Sequence, residues 1–116
     1  GCAQMEQLPR FLEQKRRLAQ TYADAFADVH GVRFFTEPDF AKSNYWLNVL
    51  LLDADAANLK DDILKATNEA GFLTRPTWTP MHQLAMYRDC PRMDLSITES
   101  LAARIINIPS SAVLSA

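Results

Sequence analysis

Between Thr74 and Pro91 the chain reads TRPTWTPMHQLAMYRDCP, and most of its residues suited to chemistry fall there. Arg75 carries a planar fork that can clamp a phosphate or a carboxylate. Trp78 can stack on a ring or anchor a loop. His82 can accept, donate or shuttle a proton. Cys90 is a nucleophile only where a base and an orienting group stand beside it. The plainer readings are a solvated arginine, a loop-anchoring tryptophan, a hydrogen-bonded loop histidine and a small buried thiol. Metal binding is not indicated, because His82 and Cys90 are eight apart, His30 lies in another segment, and no pair has zinc-site spacing. A glycine-rich phosphate loop is excluded, since the only glycines are Gly1, Gly31 and Gly71.

This stretch has neither a helical nor a strand period. An irregular run of about twenty residues is uncommon in a compact domain and is usually functional or disordered. Trp78, Met81, Leu84, Met86 and Tyr87 give it apolar surface to bury, which favours an ordered loop laid over a surface.

The elements that position the loop follow from periodicity. Met5, Leu8, Leu12, Lys15, Ala19, Tyr22, Phe26 and Val29 keep a 3-4 spacing, so residues 1–30 read as a helix stopped by Gly31. Lys15 is the one residue off pattern, and Lys15, Arg16 and Arg17 read as a wet face. Pro9 must bend this helix or begin it afresh. Val32 to Phe35 reads as a short strand. Tyr45 to Leu52, nearly all apolar, reads as a central strand with Trp46 in the core. Leu59, Ile63, Ala66 and Ala70 mark a second helix closed by Gly71. Phe72 to Arg75 reads as a third strand. Ser96 and Glu99 form a capping box for a last helix carrying Ile97, Leu101, Ala102, Ile105 and Ile108, which ends at Pro109. The expected fold is α/β (α+β): a small, mostly antiparallel sheet covered by helices.

Composition bounds the rest. The chain has 116 residues, 48% hydrophobic and 22% charged, with a net charge of −2. That suits one globular domain, long enough to bury about 65% of its unfolded surface. Neither nucleic acid nor a membrane is an expected partner. Cys2 and Cys90 read as free thiols in a reducing cytoplasm, each a small buried hydrophobe.

Four segments, in order, resemble the DegT-type nucleotide-sugar aminotransferases: GCAQMEQLPRFLEQKRRLAQTY, SNYWLNVLLL, AGFLTRPTWTPMHQLAMYRDCP and LSITESLAARIINIPSS. Each is weak alone; together they span nearly the whole chain. RPTWTPMH and INIPSS look closest to the branch of the perosamine synthetases and legionaminic-acid pathway enzymes. The resemblance implies a dimeric enzyme of the type I aminotransferase fold that uses pyridoxal phosphate and moves an amino group, usually from glutamate, onto a keto carbon of a nucleotide-linked sugar. It implies that residues 1–116 are the small C-terminal domain, with 1–30 the helix linking it to a large domain. It implies too that no catalytic residue lies here, because the cofactor's lysine belongs to the large domain. Lys15, Lys42, Lys60 and Lys65 all lack the family's glycine-rich context. Pyridoxal phosphate would not be held by this chain alone. Arg75, Trp78 and His82 are then the expected substrate-binding residues, with Ser43, Asn44 and Tyr45 a second candidate edge. Met5, Leu8 and Phe11 would be left exposed and prone to self-association. Two rivals remain: a non-enzymatic interaction module using the loop from Trp78 to Met86, and a dehydratase on the same scaffold.

Overall fold

A computed structural model describes residues 1–115. The elements are α1 (Cys2–Ala25), β1 (Val32–Phe34), β2 (Asn48–Leu52), α2 (Lys60–Glu69), β3 (Arg75–Pro76), α3 (Ser96–Arg104) and β4 (Ile105–Ile108). Short turns of 3-10 helix cover Ala54–Leu59, Met81–Gln83, Ala85–Tyr87 and Ala112–Ser115. The strands form one antiparallel sheet in the order β1-β2-β4-β3.

β2 and β4 are the central pair, with Asn48 opposite Ile108 and Leu50 opposite Ile106. Strand alternation puts Phe34, Leu50, Leu52, Ile106 and Ile108 on one face. There they pack with Ala19 of α1, joined by Tyr22, Phe26, Ile63 and Leu64. Each of the buried Phe, Leu and Ile side chains contributes about 1.5–3 kcal/mol. Leu51 points the other way and is also buried, on the side where α3 packs against β2. One polar cost sits in this core. The Asn48 side chain is 1% exposed, and neither atom of its amide has a partner among the described residues.

Several boundaries differ from expectation. Helix α1 runs unbroken through Pro9 and ends at Ala25, before Gly31. Gly31 instead takes a positive φ of 82° to start β1, and its carbonyl accepts from the Asp53 amide. Residues 105–108 leave the helix and become β4, because Ile106 and Ile108 complete the sheet face that Leu50 and Asn48 open. Isoleucine is stiff at χ1 and fits a pleated surface well, and that wins here. The third strand is only Arg75–Pro76, at the edge, where a proline is tolerated. Ser96 is the first residue of α3 and not its cap. Leu95 holds the cap position without a side-chain bond, and Asp94, one residue earlier, accepts from the Ser96 amide (3.1 Å) and hydroxyl (2.8 Å). Cys2 and Cys90 are both exposed, not buried.

The cationic run on α1 is not a uniformly wet face. Of the three, only Arg17 is exposed, and it pairs with Glu13 one turn earlier at 3.5 Å. Arg16 pairs with Glu37 and donates to the Ser43 carbonyl, with its guanidinium 5.5 Å from the Tyr45 ring centroid. The Ser43 amide also donates to Glu37. Together these close the loop between β1 and β2. The Arg16 hydrogen bond, helped by the Ser43 amide, holds the Glu37 carboxyl below its ordinary value of 4.5. The depressed folded value means this stabilisation is present above pH 4.5 and is lost as pH falls through the folded value. Glu37→Gln should therefore flatten the acid limb of a stability-against-pH profile below about pH 4.5, measured by urea unfolding. An unchanged limb would show that the pair is not what acid disrupts.

Candidate functional site

β3 ends at the sheet edge, where the Asn107 amide donates to the Pro76 carbonyl at 3.2 Å. The chain then leaves the sheet as the irregular stretch. Local turns order it. Gln83 N–H donates to the Pro80 carbonyl, Leu84 to Met81, Tyr87 to Leu84 and Cys90 to Tyr87, at 2.9–3.1 Å. One side-chain contact ties the loop to α3: His82 Nε2 lies 2.8 Å from Glu99 Oε1. The His82 side chain is only 12% exposed and Glu99 is 54% exposed. Glu99 thus serves the loop histidine, and with Leu95 rather than Ser96 at the cap it no longer stands where a capping box needs it.

Two cavities, each of about 370 Å³, flank this tie and share Pro80 as a common wall. That is within the range of small-molecule clefts. The first is bounded by Met81, His82, Tyr87, Cys90, Arg92 and Leu95. The second is bounded by Trp78, Thr77, Thr79, Gln83, Glu99 and Lys60. His82 and Trp78 therefore line adjacent clefts. Arg75 is exposed on the edge strand and lines neither.

The turn before β2 brings a further residue to this region. Ser43 Oγ accepts from the Tyr45 amide (2.9 Å), and Asn44 Oδ1 accepts from the Trp46 amide (3.0 Å). Tyr45 adopts a left-handed φ of 47°, rare for a bulky residue, and its ring packs beside Phe34 at 6.3 Å. The turn thus uses Ser43, Asn44 and Tyr45 for its own bonding and turns Trp46 outward. Trp46 is 66% exposed, against the expectation of a core tryptophan, and Trp78 is 71% exposed. Their rings lie 6.3 Å apart, tilted by 30°. The missed signal was the pair Ser43-Asn44, turn formers directly before the apolar run. They delay the strand to Asn48, so strand alternation does not reach Trp46.

Lys15 is the other residue misread. Its ammonium donates to the carbonyls of Tyr45 (3.1 Å), Trp46 (3.1 Å) and Ser110 (2.6 Å). It pins the Trp46 turn to α1. Its place in the apolar stripe was itself the clue that it faces inward. Among the described residues no group of three metal-ligating side chains occurs, and no helix is long and apolar enough to cross a membrane.

The profile of the DegT/DnrJ/EryC1/StrS aminotransferase family matches residues 1–116. A Bacillus subtilis (strain 168) protein, provisionally named as the pyridoxal phosphate-dependent aminotransferase EpsN, is 33% identical over 87 residues, 75% of this chain and 22% of that protein. The GDP-perosamine synthase of Vibrio cholerae is 26% identical over 111 residues, 95% of this chain and 30% of that enzyme. The solved aminotransferase TlmJ from Streptoalloteichus hindustanus superposes with a TM-score of 0.87 at 24% identity, over 99% of this chain and 30% of that one. The chain thus spans less than a third of the length of each of these proteins.

Proposed function

This chain belongs to the DegT/DnrJ/EryC1/StrS aminotransferase family, and we propose that it is the small C-terminal domain of a pyridoxal phosphate-dependent enzyme transferring an amino group from glutamate to a keto sugar carried on a nucleotide. The carrying observation is a family match over the whole chain that fills only 30% of a GDP-perosamine synthase. Residues 1–30 then link this domain to a large domain. The exposure of residues 1–10, Met5 at 66% among them, supports a partner for that end of the helix, with Phe11, expected to be exposed, half-buried. The enzyme works as a homodimer in the cytoplasm.

The residues present do not make a complete site for the cofactor. Lys15 is engaged by three carbonyls and Lys60 donates to the Ala102 carbonyl. Pyridoxal phosphate supplies an electron sink when held by a lysine, and no step is assigned to it in this chain. The role left to the domain is to bind and orient substrate. Arg75 reaches from the edge strand toward a phosphate or carboxylate. Trp78 walls one cleft. In His82, Glu99 holds Nε2 and so fixes the ring, leaving Nδ1 for a substrate hydroxyl or phosphate oxygen.

The test is the full-length enzyme supplied with pyridoxal phosphate, glutamate and a nucleotide-linked keto sugar. Formation of 2-oxoglutarate together with the amino sugar is expected; sugar dehydration without amino transfer would replace this reading by the dehydratase. In the same assay His82→Ala should raise KM for the sugar nucleotide about tenfold with kcat changed much less, the pattern of a lost binding contact. Unchanged kinetics would remove His82 from the site.

A further inference from the structure

We propose that Trp46 and Trp78 together form a stacking platform for the base of the nucleotide substrate, an assignment that rests on the substrate class proposed above. Other apolar side chains are as exposed, but Trp46 and Trp78, at 66% and 71% exposure, place two large rings side by side as one exposed aromatic patch. Both are held rather than loose. The Trp46 amide donates to Asn44 Oδ1, and its carbonyl accepts from Lys15. Trp78 sits between Pro76 and Pro80, whose fixed φ angles stiffen the segment. The two rings approach to 6.3 Å with a tilt of 30°. That spacing is a contact between neighbours rather than a closed parallel stack, so aromatic faces stay open to a ligand.

The surroundings select the occupant. An interface core would continue the apolar surface with charge and polarity depleted. The cleft that Trp78 lines is mixed instead: Thr77, Thr79, Gln83, Glu99 and Lys60 stand beside Pro76, Pro80, Ala102 and Ala103. The hydroxyls of Thr77 and Thr79 and the Gln83 amide can donate and accept at the edge of a heteroaromatic ring while the ring's face lies on an indole. A purine or pyrimidine meets both demands; an aliphatic side chain or a bare sugar meets one. Stacking also tolerates different bases, since each has a π-face.

The probe is GDP, titrated calorimetrically into the full-length enzyme without amino donor, with ribose 5-phosphate as a probe lacking the base. Trp46→Ala and Trp78→Ala should each weaken GDP binding about tenfold. Trp46→Phe and Trp78→Phe should retain it within a fewfold. None of the four should alter ribose 5-phosphate binding, and in turnover KM should rise while kcat holds. GDP affinity unchanged in the Trp46→Ala/Trp78→Ala double variant overturns the platform. So does a changed sedimentation coefficient with GDP affinity intact, which would make the pair an interface between copies. GDP binding that is lost in the alanine variants of a protein showing no amino transfer would uphold the platform and sink the reaction proposed above.

Discussion

Lys15→Met should destabilise the domain by about 2 kcal/mol, read as a fall of about 8 °C in Tm. Methionine keeps the apolar stem within the α1 stripe and removes only the donors. Three carbonyls, those of Tyr45, Trp46 and Ser110, then lose their shared partner. Hydrogen bonds to a charged group are each worth more than neutral ones. Burial, however, opposes the ammonium and lowers its pKa from the ordinary 10.5, so the net effect falls well below the sum of three strong bonds. At neutral pH both folded and unfolded chains keep the proton. As pH rises toward 10.5 the folded chain releases it first, so this group's burial cost is relieved and its contribution to stability increases with pH. Lys15→Met should lack that slope. The same substitution frees the Trp46 turn, so it should also weaken GDP binding in the full-length enzyme, through Trp46 and without contact to the ligand. A Tm within about 1 °C of wild type would return Lys15 to the solvated face.

The contrast between Lys15 and Ile105–Ile108 shows what periodicity can reveal. The core face of β2 was legible because a strand with both faces covered leaves an apolar run of its own length, and Leu50, Leu51 and Leu52 are all buried. Residues 105–108 continue the apolar stripe of α3 at helical spacing, so the sequence alone favours one longer helix. Only the open register beside Asn48 and Leu50, a contact more than fifty residues away, recruits them as β4. Lys15 fails in the opposite sense. Its position in the stripe was right and its residue type misleading, because a long stem can cross an apolar face and end on backbone oxygens. The candidate site was half legible. A loop with Trp78 and His82 beside prolines announces itself by composition, while Glu99 as the partner of His82, and Trp46 as the neighbour of Trp78, are tertiary facts that no local pattern encodes.

The 116-residue chain by itself should transfer no amino group at all. The reaction needs a lysine whose amine is free, neutral for part of the time, and placed against a phosphate site and a group facing the cofactor's ring nitrogen. Of the lysines here, Lys15 is committed to three carbonyls and Lys60 to that of Ala102. Lys42 and Lys65 lie on a loop and on α2, and neither lines the clefts beside Trp78 and His82. Borohydride treatment of the purified chain mixed with pyridoxal phosphate should leave no single lysine selectively modified, as read by peptide mass spectrometry. No 2-oxoglutarate should form from glutamate and a nucleotide-linked keto sugar. The full-length enzyme should do both, with its labelled lysine outside residues 1–116. Selective modification of Lys60 in the isolated chain, accompanied by turnover, would mean that the Trp78 cleft is itself a catalytic centre, and the division of labour proposed between this domain and the rest of the enzyme would be wrong.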